Sequence, residues 1–368
     1  MTSKLFTPLA IGAMELENRI TVAPMCQYSA IDGSMTDWHL MHLGSLALSG
    51  ASMLVIEATG VTPEGRITPQ CTGLYSDANE AAMARAVKFV RSISPIRLGI
   101  QLAHAGRKGS AQRPWEGRGA LGIDDPAAWR TLAPSPIPLG PGWPTPHALD
   151  RTGMDAVRDA FVAAARRAAR LGLDFVEVHS THGYLLSEFL SPLANRREDE
   201  YGGTLENRMR FPLEVMRAVR TAWDKPLGAK ISGSDFAAGG WTPDDAVVYA
   251  CELKKLGCDY VTVSGGGVVL DQKVPPGPGY QVPFAERVRR EAGIVTGAVG
   301  LISDPQQAEE IVTSGKADFV SLARAMLFNP RWPQHAAVLL GGSVRYPPQY
   351  ERCAPHAWPP GAKLGKVA

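Results

Sequence analysis

Short apolar runs rich in β-branched residues recur along the chain at 19–24, 52–57, 97–102, 174–178, 226–231, 259–264, 293–299 and 317–322. They are near-continuous rather than alternating, the pattern of strands buried on both faces in a parallel sheet. Between them lie segments of helical period, clearest at 78–91, 154–171, 205–223, 243–256, 283–292 and 304–314. Four of these end at Gly172, Gly257, Gly293 and Gly315, a residue that readily takes the left-handed conformation that stops a helix. Thr242-Pro243 and Asp304-Pro305 are matching start signals, with proline in the first turn. Eight strand–helix units predict an α/β protein built as a closed (β/α)8 TIM barrel, with long loops on its C-terminal face.

A minimal barrel takes ~250 residues, so this chain of 368 has a surplus. Most of it falls in loops after strands and in a tail over 353–368. The longest insertion, 103–151, is rich in proline, glycine and tryptophan and follows the third predicted strand. That is the face where barrels keep their active sites, and the segment reads as an active-site lid or hairpin. It has no second apolar period of its own, so residues 1–368 are expected to form a single domain.

The bulk numbers narrow the partners. A formal net charge of +2 argues against nucleic acid. The one dense basic stretch, Arg196-Arg197, runs straight into Glu198, Asp199 and Glu200 and is expected to form a local ion-pair network. The N-terminal residues lack the apolar run of a signal peptide, and no stretch approaches the ~18 apolar residues of a membrane span. Five cysteines, at 26, 71, 251, 258 and 353, include no C-x-x-C pair, so neither disulfides nor structural zinc is expected. These features predict a soluble, cytoplasmic protein acting on a small molecule.

Residues with chemical potential collect at the predicted strand ends. They are Pro24-Met25-Cys26-Gln27-Tyr28 after the first, Ala58-Thr59-Gly60 after the second, Gln101 and His104 at the third, and Lys230 in the fifth. The fourth delivers His179, His182 and Tyr184. Two imidazoles and a phenol there form a cluster of donors able to polarise a carbonyl oxygen and protonate the carbon beside it. Gly297-Ala298-Val299-Gly300 and Ser321-Leu322-Ala323-Arg324 close the seventh and eighth strands, where barrels bind phosphate with backbone N–H groups. Arg324 supplies the balancing charge.

Over about residues 5–352 the chain resembles the Old Yellow Enzyme family of flavin-dependent ene-reductases, most closely its thermophilic-like (YqjM-like) branch. The carrying motifs are Asn18-Arg19-Ile20, Pro24 to Tyr28, Glu64-Gly65-Arg66-Ile67-Thr68, Gln101 to Lys108, His179 to Tyr184, Asp199 to Gly203 with Asn207 to Phe211, and Gly297 to Ile302. The resemblance implies tightly but non-covalently bound FMN, NADPH or NADH as reductant, and activated alkenes such as α,β-unsaturated carbonyls as substrates. It implies that His179 and His182 bind the substrate oxygen, that Tyr184 protonates the α-carbon and that Tyr28 contacts substrate. Pro24, Met25, Cys26, Ala58 and Gln101 would lie against the flavin ring, with Cys26 tuning its potential. Gly300, Ala323 and Arg324 would hold the phosphate, with Ser264-Gly265-Gly266 as a further contributor. Arg352 would reach a neighbouring subunit's site in a homodimer or homotetramer.

Two positions depart from the family pattern. Lys230 stands where arginine is common, which keeps a cation but removes the bidentate fork. Ala323 stands where the phosphate turn often has glycine. Two competing readings are a metal-dependent hydrolase or lyase with His179 and His182 as ligands, and a non-catalytic flavin- or phosphate-binding barrel. The first lacks a convincing carboxylate as third ligand on the neighbouring strand ends. The intact His/His/Tyr set argues against the second.

Overall fold

Eight parallel strands close on themselves in a computed structural model that describes residues 3–361. They are β1 (Ile20–Val22), β2 (Met53–Gly60), β3 (Arg97–Ala103), β4 (Phe175–Ser180), β5 (Leu227–Ser232), β6 (Tyr260–Ser264), β7 (Val295–Ala298) and β8 (Phe319–Leu322), with β8 pairing back onto β1. Each of these eight barrel strands was anticipated, and the (β/α)8 barrel is the observed architecture; the short strands outside the barrel were not. The second runs three residues further than expected. Ala58, Thr59 and Gly60 belong to the strand, beyond a register break between Ile56 and Ala58 that leaves Glu57 as the extra residue.

The outer helices are α1 (Asp37–Ala47), α2 (Asp77–Ile93), α3 (Arg151–Arg170), α4 (Leu185–Leu190), α5 (Leu205–Ala222), α6 (Pro243–Lys255), α7 (Val282–Ala292), α8 (Pro305–Thr313), α9 (Arg324–Phe328) and α10 (Trp332–Leu340). Their termini follow local chemistry. The Thr242 hydroxyl accepts from the Asp245 N–H at 3.2 Å while the Asp245 carboxylate accepts from the Thr242 N–H at 3.0 Å, a reciprocal cap on α6. Gly293 ends α7 in the left-handed conformation, at φ +60°.

Helices α1, α4, α9 and α10 were not anticipated. In α1 the apolar residues point both ways, with Trp38 and Met41 exposed and Leu43 and Leu46 buried. Helix α4 is buried at all six positions, so it has no polar face to give a period. Among the described residues no helix is long and apolar enough to cross a membrane.

The N-terminal end of the barrel is closed by aromatic rings seated over glycines. Gly99, Gly228 and Gly297 lie opposite Phe175, Tyr260 and Phe319 on neighbouring strands. A Cβ on any of them would come within 2.2–2.3 Å of the facing ring. These rings join Ile11, Met14 and Leu16 of an N-terminal hairpin (Leu9–Ile11 with Met14–Leu16) in one buried cluster. The C-terminal end is left to carry the site.

The 103–151 insertion forms no long hairpin. It contains a 3-10 turn at Gly106–Lys108, one bridge between Ala111 and Ala120, and a two-residue parallel pairing of Leu132–Ala133 with His147–Ala148. Arg107 pins it in place. This side chain, 2% exposed, donates to the carbonyls of Ile137 (3.1 Å) and Val268 (2.6 Å). Arg107 and Lys108 are charged residues of a long loop, yet neither is solvated. They are instead fixed inside, because their donors satisfy carbonyls of converging loops.

At the Arg196-Arg197 stretch, Arg197 pairs with Asp199 and also donates to the carbonyls of Pro134 and Leu149. It anchors a loop more than it builds a network. The described part of the C-terminal segment starts at the barrel's N-terminal end, where Val344 packs on Gly50 and Arg345 pairs with Glu17 at 2.6 Å.

Candidate active site

Alternation along β4 turns Glu177 and His179 toward the barrel axis, and both are buried. The chain then turns sharply at His182 (φ +64°) and Gly183 (φ +71°), which swings His182 and Tyr184 back beside His179. Glycine is required at 183, because a Cβ there would lie 2.0 Å from the Gly267 carbonyl oxygen. The ring centroids are 5.3 Å apart for His179 and His182, 4.9 Å for His179 and Tyr184, and 6.5 Å for His182 and Tyr184, all near-perpendicular.

The Thr181 N–H donates to Nδ1 of His179 at 3.3 Å, which leaves the proton on Nε2. His182 Nε2 lies 2.8 Å from the Ser264 hydroxyl. Burial, reinforced by the charge of Lys230, holds both imidazoles well below the usual range. Burial also holds the Tyr184 phenol well above its own. All three groups are therefore neutral near pH 7, and the cluster offers hydrogen-bond donors without a formal charge.

Beside them opens a cavity of about 480 Å³ lined by Pro24, His182, Lys230, Ser264, Gly300, Ala323 and Arg324, among others. Lys230 is level with His179 on one side and Thr262 on the other in the strand register. Gly300, at φ +116°, presses on the backbone N of Gln281, which a Cβ would approach to 3.0 Å. Arg324 opens α9, whose first N–H groups lack intrahelical acceptors.

Ala58 pairs in register with Gln101, and the Gln101 amide donates to the buried Glu177 carboxylate at 2.7 Å. Thr262 donates to the other Glu177 oxygen at 3.1 Å. The amide oxygen of Gln101 is left to accept. The loop of Met25, Cys26 and Tyr28 is held by the Gln27 N–H donating to Glu57 at 3.0 Å, while His39 braces the other Glu57 oxygen at 3.3 Å. The Cys26 thiol is pushed up by hydrogen bonding with the Cys71 thiol and by burial. Tyr28, at φ +52°, meets Trp115 of the insertion edge-on at 5.8 Å.

Arg352 is not part of this assembly. It is exposed on the 3-10 helix Pro348–Cys353, which follows the segment at the opposite end of the barrel. Another cavity, of about 430 Å³, lies at that end between Glu17, Arg97 and Arg345 and shares no residue with the site. Among the described residues no three His, Cys, Asp or Glu side chains converge as a metal site.

Sequence reasoning missed three participants. Glu177 lies two positions before His179 on the same inward face, a signal that strand alternation contains. Ser264 had been considered only for phosphate, and its contact with His182 crosses from β6. Lys108 carried no pattern that separated it from surface lysines.

The residues fit FMN. There is an open C-terminal mouth, a left-handed Gly300 where a side chain would be strained and would crowd Gln281, a cation at Arg324, and an amide oxygen and an ammonium at Gln101 and Lys230. Residues 4–340 match the model of the NADH:flavin oxidoreductase / NADH oxidase family. An NADPH dehydrogenase of Geobacillus thermodenitrificans is 45% identical over 354 residues, covering 96% of this chain and 99% of the relative. An NADPH dehydrogenase of Bacillus subtilis is 39% identical over 354 residues, with 96% and 99% covered. The solved structure of morphinone reductase superposes with a TM-score of 0.78 at 27% identity, covering 95% of this chain and 93% of that one. With the fold, the cofactor cradle and the neutral donor cluster in agreement, the chain belongs to the NADH:flavin oxidoreductase / NADH oxidase family, the Old Yellow Enzyme flavoproteins, and is an FMN-dependent NAD(P)H oxidoreductase of ene-reductase type.

Proposed function

We propose that this enzyme reduces the C=C bond of α,β-unsaturated carbonyls, with His179 and His182 binding the carbonyl oxygen and Tyr184 protonating the α-carbon. The observation that carries this reading is the neutral, edge-to-face triad of His179, His182 and Tyr184 beside the cavity. FMN, when bound, would supply the redox chemistry by which hydride from NADPH or NADH reaches the β-carbon. Negative charge then grows on the substrate oxygen, and two imidazole N–H donors aimed there favour the transition state over the ground state. The high proton affinity of Tyr184 keeps its proton available until the α-carbon becomes basic enough to take it.

Pro24, Met25, Cys26, Ala58 and Gln101 would pack on or bond the flavin ring, and Lys230 would face its most electron-rich edge. Gly300, Ala323 and Arg324 would hold the phosphate. Tyr28, against Trp115, would line the substrate's approach, with the 103–151 segment serving as a lid within a single domain. Arg352, remote from its own site and exposed, would complete the site of a neighbouring copy in a homodimer or homotetramer. A cytoplasmic location fits a soluble enzyme of this kind.

An anaerobic visible spectrum tests the central claim. The flavin band is expected to bleach on adding NADPH and to return on adding cyclohexenone. Bleaching with no return would remove enones from the substrate class. A protein that stays colourless when mixed with FMN would overturn the cofactor assignment itself.

A further inference from the structure

Three loops meet above the barrel, so closely that two glycines there have no room for a Cβ. Gly183 and Gly267 both take left-handed backbone conformations, at φ +71° and +90°. A Cβ on Gly267 would come within 2.5 Å of the His182 carbonyl oxygen, and one on Gly183 within 2.0 Å of the Gly267 oxygen. Two carbonyl oxygens thus converge from the loops after β4 and β6, an arrangement that like dipoles resist unless a donor lies between them. That donor comes from the third loop. Lys108 Nζ lies 2.6 Å from the His182 oxygen and 3.0 Å from the Gly267 oxygen. It also sits 5.0 Å over the centre of the Tyr184 ring.

We infer that Lys108 is a positioning residue for the oxygen-binding cluster: its ammonium bridges the His182 and Gly267 carbonyls, holds His182 in its left-handed conformation, and caps the face of the Tyr184 ring. The inference rests on the assignment of His179 and His182 as the donors to the substrate oxygen. Lys108 touches neither the substrate nor the reacting atoms. It acts through the place it gives to His182, a residue whose φ of +64° is rarely adopted without glycine.

Its charge is adjustable. Burial lowers the Lys108 amine to about 8, against the opposing pull of Glu188 and with a smaller push from Arg107. The other titratable groups around it are Glu188, whose carboxyl burial raises to about 8 so that it titrates in the same window, His179, His182 and Tyr184 from the strand β4 side, and Lys230 across the site; the Lys108→Arg variant, which leaves Glu188 in place, separates the two. Both imidazoles are neutral above pH 7, and Tyr184 keeps its proton. Loss of the Lys108 proton as pH rises through about 8 exchanges an ammonium with three donors for an amine with two. His182 is then held more loosely, and ligand affinity falls.

The test is a titration of the FMN-bound enzyme with phenol, read in the visible flavin band from about pH 6.5 to about pH 9, below phenol's own ionisation near 10. The native enzyme is expected to lose affinity as pH rises through about 8. Lys108→Met is expected to bind phenol about tenfold more weakly at pH 7 with no break in its profile. Lys108→Arg, which keeps a permanent charge, is expected to bind within about threefold of native at pH 7 and also to lose the break. A Lys108→Met enzyme with native phenol affinity would overturn the inference alone. So would a Lys108→Arg enzyme that keeps the native pH profile, and this comparison decides the matter even if Lys108→Met fails to fold. A native enzyme whose flavin band ignores phenol would overturn the site assignment along with it.

Discussion

The rings of His179 and Tyr184 meet edge to face with their centroids 4.9 Å apart. On the proposed reading, the group that would bind the substrate oxygen and the group that would deliver the proton are thereby set side by side, one at the end of β4 and the other just past the sharp turn that follows it. Removing either imidazole takes away one of two donors to the developing oxyanion. His179→Ala and His182→Ala are each expected to slow enone-driven reoxidation by ~10²–10³. FMN should stay bound, since its phosphate and ring contacts lie elsewhere. Stopped-flow reoxidation beside a released-flavin assay checks both points, and full enone activity in both variants would sink the assignment.

Tyr184→Phe keeps the ring and its packing but removes the proton. Reoxidation by enone should slow by up to ~10²–10⁴, less if water reaches the α-carbon. Reduction by NADPH needs no acid and should change little. Comparable slowing of both half-reactions would instead mean that the hydroxyl matters for binding rather than for proton delivery.

Arg324 lines the cavity and would provide the charge in the proposed phosphate cradle. Arg324→Ala should weaken FMN binding by roughly a hundredfold, the scale of a charge-assisted hydrogen bond of ~1.5–3 kcal/mol. The melting temperature of the FMN-free protein should be unchanged, because no side-chain bond within the described residues depends on that guanidinium. Fluorescence titration of the FMN-free protein with FMN gives the dissociation constant directly. An unaltered constant would move the phosphate elsewhere.

His104 is 1% exposed and is pushed down to about 4 by burial, while its Nδ1 accepts the Gly106 N–H at 3.1 Å. The unfolded chain protonates this imidazole near 6.5 and the folded one only near 4. Its contribution is therefore complete above about pH 6.5 and is lost as pH falls toward 4, by ~3 kcal/mol in all. The stability gap between the native protein and His104→Gln should narrow over that window. Parallel denaturation midpoints from pH 7 to pH 4.5 would contradict the shift.

Much of this was legible in sequence, and the failures have physical causes. Glycine stops and proline starts marked helices because those residues act locally, and all eight strands could be found by their apolar density. His179, His182 and Tyr184 were visible because they sit in one short run at the end of a strand. Helix α4 was not, since burial on every side erases the polar face that makes a period. The place of Lys108 was not legible. Its partners, the carbonyls of His182 and Gly267, lie 74 and 159 residues away, and no local pattern encodes them. The Glu57 brace on the Cys26 loop was hidden for the same reason, with His39 and Gln27 converging on it only through the fold.

The aromatic floor of Phe175, Tyr260 and Phe319, stoppered by the hairpin residues Ile11, Met14 and Leu16, has a kinetic meaning. A barrel sealed at one end has a single doorway, and both reactants must use it. On the proposed reading both would lie against the same face of the flavin, so the nicotinamide donor would have to leave before the alkene could enter, and turnover would follow a substituted-enzyme order. Double-reciprocal plots at several NADPH concentrations should then run parallel, and an excess of alkene should compete with NADPH for the resting enzyme.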